Sequence, residues 1–290
     1  RARALRDNAK SIRGSFSAFA SAPFESEACL VYSKDDARVI CEQPLSEALD
    51  WKPVEWARAG YDRELAKWFA PFVAFNVNAD VKSAESVDLD KYGAVSLPLY
   101  QMADPDFVER VDAWVRKGGH LILGYRAGAR DMRNWNIREP LPGLFEEMAG
   151  IRIPRFAALG SREIGIRVGA FPAKGGVWAD LIEPVAARTI AEWSDGRVFY
   201  SGLPCATANA HGRGTVWYIG TSPDARGTFL LYRKILKEAG LEPRFRGVGI
   251  EVVERRTSDG GRVKVVLNHT ERRRRVMGRR IEPYGWAVLE

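Results

Sequence analysis

Gly124-Tyr125-Arg126-Ala127-Gly128 follows the apolar run Leu121-Ile122-Leu123, so two glycines flank one residue where a chain leaving a central strand must turn sharply. This is the outline of a nucleophile elbow, which holds an exposed side chain at the end of a strand for attack on a carbonyl carbon. The vertex is Arg126, which stays protonated at any working pH and offers only donors. The scaffold is therefore expected without its usual chemistry. Arg126, Asp131 and Asn134 place a donor fork, an acceptor and an amide within nine residues. One reading is an Arg126–Asp131 pair that pins the loop, with Asn134 capping a turn; the other is a contact to a ligand or to another chain. Trp135 beside them either reaches another chain or packs inward. Cys205 and His211 could be pictured as nucleophile and base, against the reading of a buried, inert thiol. No Walker loop, metal-binding spacing or dinucleotide fingerprint occurs, so neither a cofactor nor a metal is expected.

The elements that must position these groups alternate through the first two-thirds of the chain. Ala28–Ser33, Phe72–Asn78, residues 92–100 and His120–Gly124 read as strands, and residues 1–20 and Trp56–Phe69 as helices. Asp104-Pro105 has the chemistry of a helix start and Lys117-Gly118-Gly119 that of its end. Such alternation predicts an α/β fold with a mostly parallel sheet and helices on both faces. Ser33, Asn78, Tyr100 and Arg126 then fall at the C-terminal strand ends, where ligands collect in open α/β sheets. Beyond residue 150 the pattern is richer in strands, with a helix near Gly227–Gly240, and from Gly247 it is all β around a hairpin turn at Ser258–Gly261. The expected division is 1–26 as a helix from a missing upstream region, 27–245 as the main domain and 246–290 as a small β-sandwich-like domain.

At 290 residues, 46% hydrophobic and +7 in net charge, the chain can bury a substantial core. The basic residues are spread along it rather than gathered, which argues against nucleic acid; the run Arg272–Arg275 with Arg279-Arg280 is a solvated face or a rim that meets a partner's acidic residues. Three cysteines with no disulfide framework suit a reducing compartment, with cytoplasm as the default, and no stretch has the length of a membrane span.

Taken in order, Tyr92–Pro98, Gly118-Gly119, Arg126-Ala127-Gly128 with Asp131 and Asn134, Leu141-Pro142-Gly143, Gly202–Asn209, Gly212-Arg213-Gly214 and Tyr218–Thr221 resemble the trimerisation domain of family 42 β-galactosidases. Gly249–Arg255, Leu267-Asn268-His269 and the closing strand resemble the β domain that follows it there. The resemblance implies a flavodoxin-like or amidotransferase-like fold without glutaminase activity. Class I amidotransferases carry cysteine at the vertex where this chain has Arg126. It also implies a homotrimer whose copies help wall a neighbour's active site, while two glutamates on a separate (β/α)8 barrel perform catalysis. Such a barrel takes about 250 residues, and too few precede the first strand to supply it. Arg126, Asp131, Asn134, Trp135 and Asn209 are the residues expected at an interface or near a carbohydrate. The alternative is a stand-alone amidotransferase-like domain that binds a carbohydrate or other polar ligand, or hydrolyses through Cys205.

Overall fold

A computed structural model of the chain describes residues 24–43, 59–241, 243, 245, 249–256 and 261–289. The helix expected over 1–20, the start of the helix expected over Trp56–Phe69 and most of the turn at Ser258–Gly261 lie outside the described residues. The chain divides into two compact units, one of Glu27–Pro71 with Ala79–Glu242 and one of Arg1–Ser26 with Phe72–Asn78 and Pro243–Glu290.

The larger unit is built on a single sheet of ten strands in the order β10-β6-β5-β7-β8-β9-β4-β3-β1-β2. The parallel part comprises β1 (Ala28–Tyr32), β2 (Ala79–Ser83), β3 (Ala94–Leu97), β4 (His120–Gly124) and β9 (Gly214–Ile219). The rest is antiparallel: β5 (Ile151–Val168), β6 (Phe171–Pro184), β7 (Arg188–Trp193), β8 (Pro204–His211) and β10 (Thr221–Pro223). The helices among the described residues are α1 (Lys34–Glu42), α2 (Ala59–Ala74), α3 (Pro105–Arg116), α4 (Glu146–Ala149, a single turn) and α5 (Ala225–Glu238). None is long and apolar enough to cross a membrane.

This overturns the flavodoxin-like, amidotransferase-like expectation of a mostly parallel sheet with helices on both faces. Half the strands are antiparallel, and the helices among the described residues are too few and too short to clothe ten strands. The long pair β5–β6, with twelve residue pairs across three register shifts, stands where a parallel sheet would need crossover helices. The antiparallel part also curls. β6 and β9 stand four places apart in the sheet order, about 19 Å across a flat sheet at the usual strand spacing. Yet Tyr218 of β9 bonds Asp180 of β6 at 2.7 Å, and Gly220 alone joins β9 to β10, which pairs with β6.

Local chemistry explains the elements that were legible. Asp104 caps α3 by accepting from the Asp106 amide, Pro105 opens it and Gly118 leaves it at φ +123°. Phe107, Val111 and Val115 of α3 share one core with Val95 and Leu97 of β3, Leu121 and Leu123 of β4, and Tyr218 of β9. Phe72–Asn78, expected as a strand, instead finishes α2 and turns out of it. A short apolar run reads equally as buried strand or buried helix, and α2 continues past Pro71. Asn78 accordingly precedes β2 rather than ending a strand. Residues 192–201 read in sequence as a strand, but only Glu192 and Trp193 belong to one, the end of β7, and residues 194–203 turn. On the far side of α2, Glu64 is buried with both carboxylate oxygens accepting from the Ser222 hydroxyl of β10, at 2.8 and 2.9 Å, and with Lys67 beside it at 2.7 Å.

In the smaller unit, β11 (Ile250–Arg256), β12 (Arg262–Asn268) and β15 (Trp286–Leu289) form a three-stranded sheet and β13 (Arg274–Val276) pairs with β14 (Arg279–Ile281). Ile250, Val252, Val266, Val276 and Ile281 form its core. The Asn76 side chain stitches it together, accepting from the Val252 amide at 2.7 Å and donating to the Phe245 carbonyl at 2.9 Å. The arginine run falls on the β13–β14 ribbon, with Arg275 opposite Arg280 and Arg273 paired to Glu282 at 2.8 Å.

Gly124 ends β4 where a Cβ would lie 1.7 Å from the Pro98 carbonyl oxygen, a collision with backbone rather than with a movable side chain. We expect Gly124→Ala to lower unfolding free energy by roughly 3 kcal/mol or more. Chemical denaturation checks this, and an unchanged midpoint would show that β3 and β4 do not meet this closely.

Candidate ligand and interface site

Arg126 sits at the turn after β4 with φ +60°, a left-handed conformation uncommon for arginine. Its amide donates to Asp180 at 3.0 Å, Ala127 bonds back to Gly124 and Gly128 bonds to Tyr100, so the turn is held on both sides. Gly128 at φ +67° approaches the Pro142 carbonyl so closely that a Cβ would lie 2.3 Å from its oxygen. Both glycines of the elbow are thus required by geometry. The vertex side chain is not exposed as the sequence suggested: Arg126 is 8% accessible and turned inward.

What it turns toward was not anticipated. Its guanidinium lies 4.7 Å from the centre of the Trp178 ring and 5.7 Å from that of Phe156, and those two rings stack at 4.9 Å. Its Nε donates to Gln101 Oε1 at 3.0 Å. Asp180 lies beneath, wholly buried, with Oδ2 accepting from the Arg126 amide and the Tyr218 hydroxyl and Oδ1 from Trp178 Nε1 at 2.8 Å. Burial raises the Asp180 carboxyl above its ordinary range, and these donors work against that rise; burial likewise lowers the Arg126 guanidinium. The other support is Asp36 of α1, whose Oδ1 accepts from the amides of Gln101 and Met102, each at 3.1 Å. Burial pushes its carboxyl up to about 7, against hydrogen bonds that favour the charged form. Gln101, Asp36, Asp180, Phe156 and Tyr218 are not among the residues that the sequence singles out for a site. The one available signal was Asp180, a charge within the apolar strand Val177–Ile182.

The Arg126–Asp131 pair does not form. Asp131 turns instead into its own loop, where Oδ1 accepts from the amides of Arg133 and Trp135, each at 2.9 Å. Asn134, at φ +65°, accepts from the Arg130 guanidinium rather than capping a turn. With Arg130 bridging to Asn136 and the Asp131 amide donating to the Trp135 carbonyl, residues 129–137 form a braced hairpin. Trp135 stands on it, 72% exposed. Trp178 and Trp193, which read in sequence as lying in or near loops, are instead buried in β6 and β7.

Cys205 and His211 lie on one strand, six residues or about 20 Å apart, so they form no dyad. Burial raises the Cys205 thiol well above its ordinary value, and His211 bonds Asp112 at 2.6 Å. Asn209 is buried and donates to the Met148 carbonyl at 2.9 Å. Among the described residues no group of His, Cys, Asp and Glu is arranged to hold a metal.

Two variants probe these supports. Asp180→Asn places an amide where three donors converge and should cost about 2–4 kcal/mol of stability in denaturant titrations; a loss under about 0.5 kcal/mol would show that the carboxylate is not what closes the curl. The Asp36 carboxyl keeps its proton in the folded chain up to about 7, whereas the unfolded chain releases it near 3.9. Its contribution is therefore full below about 4 and is lost as pH rises to about 7. Denaturation midpoints measured across that window should fall more steeply for the wild type than for Asp36→Asn, and parallel profiles would refute the assignment.

A model of the β-galactosidase trimerisation domain matches residues 26–242. A β-galactosidase of Planococcus sp. strain L4 is 30% identical over 220 residues, covering 73% of this chain and 32% of that protein. Another, from Clostridium cellulovorans, is 26% identical over 287 residues, covering 91% of this chain and 41% of its own. The chain thus spans about a third of the length of the first of these relatives. Among solved structures, the β-galactosidase from Bacillus circulans sp. alkalophilus superposes with a TM-score of 0.75 at 25% identity, over 92% of this chain and 40% of that one. The enzyme from Halorubrum lacusprofundi shares the fold with a TM-score of 0.81 at 23% identity, over 96% of this chain and 41% of its own. With three-quarters of its residues inside the family match, the chain belongs to the β-galactosidase trimerisation domain family.

Proposed function

We propose that this chain is the assembly and accessory region of a β-galactosidase-type glycoside hydrolase, which joins three copies and helps shape a neighbouring copy's active site. The family match over residues 26–242 is the observation that carries this reading. The braced hairpin at 129–137 supports it physically. A large aromatic held by fixed backbone hydrogen bonds loses little entropy when it is buried in a partner, which is the profile of an interface anchor. Met132, on the same hairpin, is 46% exposed and widens the apolar patch. The elbow supplies no nucleophile, and Cys205 is too deeply buried and too far from His211 to provide one. Catalysis on a glycoside is assigned to a barrel elsewhere in the parent protein. Residues 27–245 carry the assembly function in this scheme and 246–290 are an appended β unit. Free Cys29, Cys41 and Cys205 suit a reducing, cytoplasmic setting.

Light scattering coupled to size exclusion tests the proposal on the full chain. The expected mass is three times 32.4 kDa, and Trp135→Ala should weaken the assembly by roughly tenfold or more, as loss of an aromatic anchor does. A monomer at every concentration, or a trimer indifferent to Trp135, would count against it.

A further inference from the structure

Arg126 carries five N–H donors, and its side chain uses one of them on the protein. Nε reaches Gln101, while neither terminal nitrogen has an acceptor among the described residues and neither is fully enclosed. Asp180 does not fill that need. Its two oxygens are occupied by Trp178, Tyr218 and the Arg126 amide, so it offers the guanidinium charge but no acceptor. A cation this far from water is ordinarily paired through its donors.

Gln101 gives a second, independent observation. It is wholly buried, and its Nε2 has no hydrogen-bond partner. The orientation of this amide is fixed by chemistry, because arginine only donates: Oε1 must face Arg126 Nε, which leaves Nε2 as a buried donor without a partner on the same side chain. Arg130 adds a second positive charge nearby. The guanidinium lies over the Trp178 ring, and Phe156, 51% exposed, provides an apolar wall next to it.

We propose that the Arg126 fork, with the Gln101 amide bonded to its Nε, is a receptor for a carboxylate group. Two coplanar oxygens match the fork bidentately and take up several of the open donors. A sugar hydroxyl would bring no charge to the fork, and a phosphate dianion would bring a second negative charge close to the Asp180 carboxyl. The carboxylate comes either from a small organic acid or from an acidic side chain of a second copy of this chain. The proposal goes beyond the assembly reading and stands or falls separately from it.

The test is calorimetric titration of the full chain with acetate and, separately, inorganic phosphate, alongside light-scattering mass. If the ligand is a free acid, acetate binds saturably, Arg126→Lys weakens it roughly tenfold by losing the fork, and Trp135→Ala leaves it unchanged. If the ligand is a neighbour's side chain, acetate binds only when the chain is diluted to the monomer. Arg126→Gln or excess acetate then lowers the mass. Either result supports the site. Phosphate binding as well as acetate, or an Arg126→Gln variant unchanged in both readouts, would overturn it. Because a variant could fail to fold, the Arg126 Nε–H resonance of the wild type is followed as well. A saturable shift on adding acetate is expected, and no shift at any acetate or protein concentration would overturn the proposal without recourse to mutation.

Discussion

A carboxylate sealed from water must be met by donors wherever it stands, and Asp180 is met from three separate stretches of chain: the turn after β4, its own strand β6 and the neighbouring layer at β9. These stretches are adjacent only because the antiparallel strands curl. β6 and β9 would otherwise lie far apart, so the hydrogen bond from Tyr218 is geometrically the closure of the sheet. The Asp180 amide adds another tie, donating to Gly220 at 2.8 Å at the link between β9 and β10. Remove the charge from this position and the elbow loses the acceptor that fixes its backbone, while two aromatic residues lose the partner of their polar atoms. Much of what surrounds Arg126 follows from this one acid being buried.

The same constraint explains what could and could not be read from the sequence. Helix α3 was legible because its start, its end and its apolar face are all written within a few residues of one another. Strand β4 and its two glycines were legible for the same reason. The curl was not, since it depends on β5 and β6, whose sequences are broken by Arg, Ala and Gly and whose exposure alternates only in part. Four early elements imply a parallel sheet, and the later half of the chain does not continue their rule. Phe72–Asn78 shows the local form of the problem: aromatic and β-branched residues favour strands in general, but here they complete a helix and turn whose Asn76 side chain ties down the smaller unit's backbone.

Site residues divide along the same line. Arg126, Asp131, Asn134 and Trp135 were identifiable because they lie close together in sequence, but their pairing was not. Asp131 had two backbone amides within four residues, and a carboxylate in a tight turn satisfies itself locally before it reaches for a distant cation. That freed Arg126 to face residues some 25 and 50 positions away, which no local pattern reveals. Asp36 and Gln101, on α1 and after β3, contribute only through the fold.

The backbone at Arg126 carries the final step. A left-handed conformation costs a non-glycine residue about 1–2 kcal/mol, and it persists only where the surroundings impose it. In an elbow that holds a nucleophile, such strain serves to project a reactive oxygen or sulfur. Here the same turn is imposed by Gly124, Gly128 and Asp180, yet the vertex side chain folds back over Trp178 with most of its donors unspent. The geometry of this turn requires no nucleophile: it fixes the position of a cation at the end of a parallel strand, against an aromatic wall and above a buried acid. A lysine in that place would keep the charge but could not both stack and present a planar edge. Arginine therefore keeps the charge, the stacking on Trp178 and the planar edge together, and Gly124, Gly128 and Asp180 hold the strained turn that places them.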